Sequence, residues 1–125
     1  MIKAIQGNVD LSDLYLEKLP DFLEDVIVKG HFFCHNNSLA SLEGAPKEVG
    51  GDFSCHSNSL TSLEGAPMEV GGNFYCYNKS LTSLEGVPKE IGGNLWISFA
   101  KGIHFTEEEI RKVSNIKGKV YILEE

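Results

Sequence analysis

Residues 30–50 read GHFFCHNNSLASLEGAPKEVG, residues 51–71 GDFSCHSNSLTSLEGAPMEVG and residues 72–92 GNFYCYNKSLTSLEGVPKEIG, three units of 21 residues without a gap. A fixed period of this length takes precedence over reading the short apolar runs one by one, because it marks one structural unit stacked on copies of itself. A fourth unit opens with Gly93-Asn94-Leu95-Trp96-Ile97-Ser98 and then departs from the pattern. Upstream, Gly7-Asn8-Val9-Asp10-Leu11 and the pair Leu16-x-x-Leu19 form a degenerate first unit that is longer before Val28.

Phe32, Phe53, Phe74 and Leu95 form one apolar column, followed two residues later by Cys34, Cys55, Cys76 and Ile97. That spacing is strand alternation. Asn37 and Asn58 come next, then the columns of Leu39, Leu42, Pro46 and Val49 with their equivalents. A proline in every unit excludes a regular helix there. Each turn of chain is therefore predicted as a short strand, an Asn-bearing corner and an extended return leg. One unit cannot fold alone: ordering costs about 1.2–2 kcal/mol per residue, and half a dozen buried side chains return about 1.5–3 kcal/mol each. Stacking is obligatory, and it lays the strands side by side about 4.8 Å apart in a parallel sheet.

The pattern L-x-x-L-x-G-x-P-x-x-V-G-G-x-F-x-C-x-x-N-x-L, which covers the chain from about Gly7 to Ile97, resembles the leucine-rich repeat. It is similar to the short Pro-containing repeats of bacterial effector proteins and to Cys-bearing versions in phage and bacterial proteins, with one extra Gly before the strand. The resemblance implies a curved α/β-type repeat solenoid that recognises a protein partner. The expected architecture is a parallel sheet of about six short strands on the concave face, an extended or irregular convex side and one C-terminal capping helix. In leucine-rich repeats the corner Asn bonds backbone groups; here Lys79 stands where Asn37 and Asn58 stand, and a Lys cannot accept. Either Asn78 takes over through a changed corner or the row ends there.

The 125 residues are expected to form a single domain. Residues 1–29 are its N-terminal cap and degenerate repeat, 30–98 the repeats, and 99–125 a helix-strand cap. Thr106-Glu107-Glu108-Glu109 is a capping-box signature and predicts a helix over about 107–114, with Asn115 as its stop. Gly118-Lys119-Val120-Tyr121-Ile122 repeats the pattern of Gly93–Ile97, so a last strand should dock beside Leu95–Ile97. Met1–Gln6 should begin the N-terminal cover. The chain reads as complete, with no attached catalytic domain.

Composition narrows the function. At 42% hydrophobic residues the chain can bury a core. Its 11 basic against 18 acidic residues, a net charge of −7, argue against a surface for nucleic acid phosphates. The imbalance is local: 13 acidic residues and 6 Lys precede Lys101, whereas the tail from there is neutral. No run approaches the roughly 20 apolar residues of a membrane span and no signal peptide is visible, so the expected compartment is the cytoplasm, that of a host cell if the protein is phage-encoded.

Three Cys at spacing 21 resemble a metal or redox set until strand geometry is applied. They fall on the inward column, and His35 and His56, which follow them directly, point to the opposite face, so buried reduced thiols are expected and no metal or cofactor. The paired glycines 50–51, 71–72 and 92–93 precede no helix and no Lys-Ser/Thr, which removes the phosphate-loop rationale; a tight, positive-φ entry into the strand is the expectation. Glu43, Glu64 and Glu85, with Glu48, Glu69 and Glu90, should form two carboxylate rows on the water-facing edge or convex side, since like charges about 5 Å apart repel unless solvated. Nothing builds the paired-carboxylate cleft of acid–base catalysis. Ser residues recur as corner positions, and His104 has no visible partner.

The units stop agreeing on the outward face of the strands. Its middle column reads Phe33, Ser54, Tyr75, Trp96 and Tyr121, flanked by His35, His56 and Tyr77. A water-facing sheet has no folding reason to carry so many rings, although cross-strand pairing accounts for some. Phe33, His35, His56, Tyr75, Tyr77, Trp96 and Tyr121 are therefore the candidate partner-binding residues, with no catalytic set. The expected function is a non-enzymatic protein–protein interaction module, such as a phage or bacterial inhibitor of a host protein. One rival is an acidic nucleic-acid mimic that blocks a basic site; another is a homo-oligomeric scaffold paired through its edge strands.

Overall fold

A lone coil of 21 residues leaves its backbone N–H and C=O groups without partners; stacking supplies them. The structure is a computed structural model that describes residues 3–124, and it satisfies these groups from coil to coil. Met1 and Ile2 of the expected N-terminal cover lie outside the described residues. In chain order the strands are β1 (Lys3–Ile5), β2 (Val9–Asp10), β3 (Val26–Val28), β4 (Phe32–Phe33), β5 (Glu48–Val49), β6 (Phe53–Ser54), β7 (Glu69–Val70), β8 (Phe74–Tyr75), β9 (Glu90–Ile91) and β10 (Leu95–Ile97). Helix α1 (Glu107–Val113), β11 (Asn115–Ile116) and β12 (Val120–Ile122) follow. A 3₁₀ turn at Asp21–Leu23, which the sequence pattern did not indicate, fills out the longer first unit.

Two parallel sheets result, a first in the order β1-β3-β5-β7-β9-β11 and a second in the order β2-β4-β6-β8-β10-β12. Each of about six turns gives one strand to each sheet, so the fold is a parallel-strand solenoid with one short helix near its C-terminal end. The second sheet is the predicted one. Its register pairs Phe32 with Phe53, Phe53 with Phe74, Phe74 with Leu95 and Leu95 with Val120. The first sheet decides between the extended and the irregular side that the sequence left open: the return leg is extended, and the sheet it forms was not expected. The return leg is itself a ladder, with Glu48, Glu69 and Glu90 in register, because its backbone also needs partners and the β-branched Val49, Val70 and Ile91 favour the extended conformation. Glu69 and Glu90 stay exposed, where water screens their repulsion.

The core runs the length of the stack between the sheets. Phe32, Phe53 and Phe74 are fully buried and stack with ring centroids 5.5 and 5.2 Å apart. Cys34, Cys55 and Cys76 are free thiols, fully buried beside them. Leu39, Leu42, Leu60, Leu63 and Leu81 close the core on the corner side, each with no exposed surface.

The corners are held by asparagine, and Asn78 does take over in the third coil. Asn58 Oδ1 accepts from Leu39 N at 3.0 Å while its Nδ2 donates to Cys34 O at 3.1 Å and Cys55 O at 3.0 Å. Asn78 Oδ1 accepts from Asn58 N at 2.8 Å and its Nδ2 donates to Cys76 O at 3.0 Å. The shift by one residue changes the backbone. Asn36 and Ser57 hold φ of 55° and 58° at the first two corners, and the third corner has no left-handed residue.

The paired glycines are required for a reason other than the expected one. None of the six has a positive φ; the left-handed glycines are Gly44, Gly65 and Gly86 in the preceding turn, with Gly102 beyond the repeats. At Gly71 a Cβ would collide with Gly50 O, and at Gly92 with Gly71 O, so these positions let successive coils approach backbone to backbone.

Helix α1 starts as predicted: Thr106 Oγ1 accepts from Glu109 N and Glu109 Oε1 from Thr106 N, a reciprocal capping box. It ends at Val113. Ser114 turns into extended backbone and Asn115, the expected stop, already belongs to β11. β12 docks on β10 in the predicted register. Among the described residues no helix is long and apolar enough to cross a membrane.

Candidate functional site: an aromatic sheet face

Alternation along the short strands of the second sheet puts three columns on its outward face. The column nearest the paired glycines reads Asn8, His31, Asp52, Asn73, Asn94 and Lys119. Its first five members do one job: Asn8 Oδ1 accepts from His31 N (2.7 Å), His31 Nδ1 from Asp52 N (2.8 Å), Asp52 Oδ1 from Asn73 N (2.8 Å), Asn73 Oδ1 from Asn94 N (2.9 Å) and Asn94 Oδ1 from Lys119 N (2.8 Å). The backbone of each incoming strand is thus satisfied by a side chain of the previous coil. His31 takes part only with an unprotonated Nδ1. Sequence reasoning placed these residues outward and missed their role; the signal was that each is an acceptor lying just after the glycines.

The middle column holds Phe33, Ser54, Tyr75, Trp96 and Tyr121. Tyr75 and Trp96 stack at 4.6 Å and 17°, and Trp96 and Tyr121 at 4.8 Å and 19°. These distances are the inter-strand spacing itself, so the rings stand upright on the sheet like rungs. Ser54 interrupts the row and is buried to 4% exposure between its larger neighbours. Phe33 leaves the row and turns along its own strand, stacking on His31 at 5.6 Å and meeting His35 edge-on at 77°.

The third column holds His35, His56 and Tyr77. The two imidazoles stack at 4.7 Å and 10°, and His56 stacks on Tyr77 at 4.4 Å and 11°. Ser98 continues the column but is buried, its hydroxyl donating to Asn78 O. Burial, and next the neighbouring His35, push His56 down to about 4, with Asp13 acting weakly the other way. His35 Nδ1 is buried with no hydrogen-bond partner. Burial raises the phenol of Tyr77, helped by Tyr75.

All seven candidate residues therefore lie on one side of one sheet, six of them in two stacks of three and Phe33 beside them against His31 and His35. Ring faces are used within the stacks, and six of the seven side chains are partly buried, with Tyr121 at the end of its stack exposed. Their thiol neighbours are on the other side of the strands: Cys34, Cys55 and Cys76 point into the core, where burial holds them well above the usual thiol range. Among the described residues no three His, Cys, Asp or Glu side chains gather as a metal site would need. An in-register row of carboxylates runs along the other sheet. Glu48, Glu69 and Glu90 line a shallow groove with Lys29 and Lys117 at its ends, and Asn115 Nδ2 donates to Glu90 at 2.9 Å.

Comparison of the chain with protein-family models, with curated proteins and with solved structures finds no match.

Proposed function

We propose that this chain is a non-enzymatic, leucine-rich-repeat-like interaction module that binds a protein partner through the outward face of its second sheet. The observation that carries the reading is the concentration of seven aromatic or imidazole side chains on that one open face. Stacking explains how the rings are tolerated there. It does not require Trp or Tyr, whose polar tips and large rigid edges suit interface anchors. Acidic side chains concentrate on the first sheet and the turns, which leaves an aromatic centre with a polar rim. In this reading the chain acts by occlusion, as a phage or bacterial inhibitor would.

A second reading has its own observation, the in-register row of Glu48, Glu69 and Glu90, which would let the first sheet mimic a nucleic acid toward a basic site. Affinity capture from the native cell, repeated with variants, separates the two. Tyr75→Phe and Tyr77→Phe preserve the stacks and remove the hydroxyls, while Trp96→Ala removes the central rung. A partner held by the aromatic face is weakened about thirtyfold or more by Trp96→Ala and survives both 0.5 M salt and Glu69→Lys. Retention by Trp96→Ala with loss on Glu69→Lys would replace the first reading with the second.

A further inference from the structure

A stack of coils has two ends, and a solenoid usually covers both with polar residues. Here the core columns run out on apolar side chains at both. The column of Val28, Val49, Val70 and Ile91 begins at Ile5 and ends at Ile116. The column of Phe32, Phe53, Phe74 and Leu95 begins at Val9 and ends at Val120. Ile5, Val9 and Leu11 at the leading end are only partly buried, and at the trailing end Ile122 and Leu123 are 38% and 39% exposed. The exposed Leu14 and Tyr15 lie on the corner of the first coil, and Leu123 lies on the same side of the last, bordering an open apolar groove with Phe99 and Phe105.

The backbone is open at both ends of the second sheet. β1 and β2 are the leading edges of the two sheets and β11 and β12 the trailing edges; at β11, however, Arg111 Nη1 donates to Ile116 O at 2.7 Å and Nη2 to Gly118 O at 2.8 Å, which closes that edge and leaves β12 as the open one. Val9 N and Leu11 N bond forward to β4, which by alternation leaves the N–H and C=O of Asp10 facing outward. At the other end Lys119 O and Leu123 N bond back to β10, leaving Val120 and Ile122 free in the same sense.

Charge selects which end meets which. Residues 3–25, the leading coil, carry six acidic and two basic side chains; residues 101–123, the trailing coil with its helix, carry five basic and three acidic ones. Two leading ends repel, as do two trailing ends, whereas leading on trailing attracts.

We infer that the protein associates with a second copy of itself head to tail, β2 of one molecule pairing in parallel with β12 of the next. The contact is heterologous, so it leaves a free end of each kind and grows into short open chains. Lys119 offers no acceptor to the incoming coil, unlike the five residues before it in its column, so the junction lacks one of the internal hydrogen bonds and association is reversible. The aromatic face stays uncovered along the chain, so this inference stands independently of the binding function.

Sedimentation equilibrium over a range of concentrations tests it, using charge swaps at exposed positions that leave the core untouched. Asp10→Lys, Glu17→Lys and Glu24→Lys together take the leading coil from −4 to +2 and give a molecule basic at both ends; Lys117→Glu with Lys119→Glu takes the trailing coil from +2 to −2 and gives one acidic at both ends. Each alone should be monomeric where the wild type shows rising mass, and an equimolar mixture should regain association, because every junction in it is again acid on base. Glu43→Lys with Glu64→Lys, along the side of the stack, should associate like the wild type. A wild type still monomeric at about 1 mM overturns the inference. So does association of either end-swapped variant alone at wild-type concentrations, or a mixture that stays monomeric while circular dichroism shows both variants folded.

Discussion

Asn78 offers a direct test of how the coils are joined. Its side chain is 1% exposed and joins two coils: Oδ1 accepts from Asn58 N at 2.8 Å, and Nδ2 donates to Cys76 O at 3.0 Å and to Cys55 O at 3.3 Å. Asn78→Ala strips the partner from the Asn58 N–H and from Cys76 O; Cys55 O keeps the amide of Asn58. A buried group left unsatisfied costs about 1–3 kcal/mol, so the two orphans together should cost about 2–5 kcal/mol. With a urea m-value of about 1–3 kcal/mol/M, the unfolding midpoint should fall by roughly 1–2 M. Asn78→Asp keeps the acceptor and loses both donors, and its carboxylate faces two carbonyls. It should be at least as damaging at pH 7 and partly recover in mild acid, where a protonated carboxyl can donate again. The shift should be read from urea melts monitored by Trp96 fluorescence and by circular dichroism, the two curves coinciding. A loss under about 0.5 kcal/mol for Asn78→Ala would refute the reasoning, since the third corner would then be held by something other than this amide.

Three further outcomes follow from the same geometry. Leu63 is fully buried in a coil with neighbours on both sides, so Leu63→Ala should cost about 2–5 kcal/mol in denaturant unfolding, whereas Ser62→Ala, which removes one weak bond from Glu64 N at 3.3 Å, should cost little. A thiol reagent should react slowly with the native protein and count 3 cysteines after denaturation, because burial keeps Cys34, Cys55 and Cys76 protonated and out of reach; rapid native labelling would mean the stack opens. Because His56 is held down to about 4 against an ordinary value near 6.5, the unfolded chain takes up its proton first as pH falls. The melting temperature should therefore drop between about pH 6.5 and 4, and His56→Phe, which keeps the stack, should flatten that part of the profile.

The second sheet, the buried cysteine column, the capping box and the docking of β12 were legible because each follows from a repeated residue or a local motif. Strand alternation alone places Cys34 inward and His35 outward. The first sheet was not legible. Its strands are two residues long, and the residue that pairs along it is Glu, which disfavours strands and repels its own copies. The need to satisfy the return-leg backbone, together with Val49 and its equivalents, outweighs that cost at an exposed site. The glycine pairs misled for a related reason. A lone sequence shows that a position needs glycine and not why, and at Gly71 the cause is the carbonyl of the coil beneath, visible only once the coils are stacked.

Variation among the units is an imperfect guide to function on the outward face. Asn8, His31, Asp52, Asn73 and Asn94 differ in type, yet each supplies an acceptor to the next backbone N–H, so the column is constrained by folding in spite of its variety. A change there, such as Asp52→Ala, acts on the stack before it acts on any partner. The ring-bearing members of the middle and third columns have no such duty: Tyr75 Oη accepts only from Asn73 Nδ2 of its own strand at 3.4 Å, His56 Nδ1 meets its neighbour Ser57 Oγ at 2.9 Å, and stacking at 4.4–4.8 Å would be met as well by plain Phe. What folding leaves unexplained is thus narrower than the whole face. It is the polar tips of Tyr75, Tyr77, Trp96 and Tyr121 and the unpartnered Nδ1 of His35, and substitutions that remove these groups while keeping the rings separate recognition from stability.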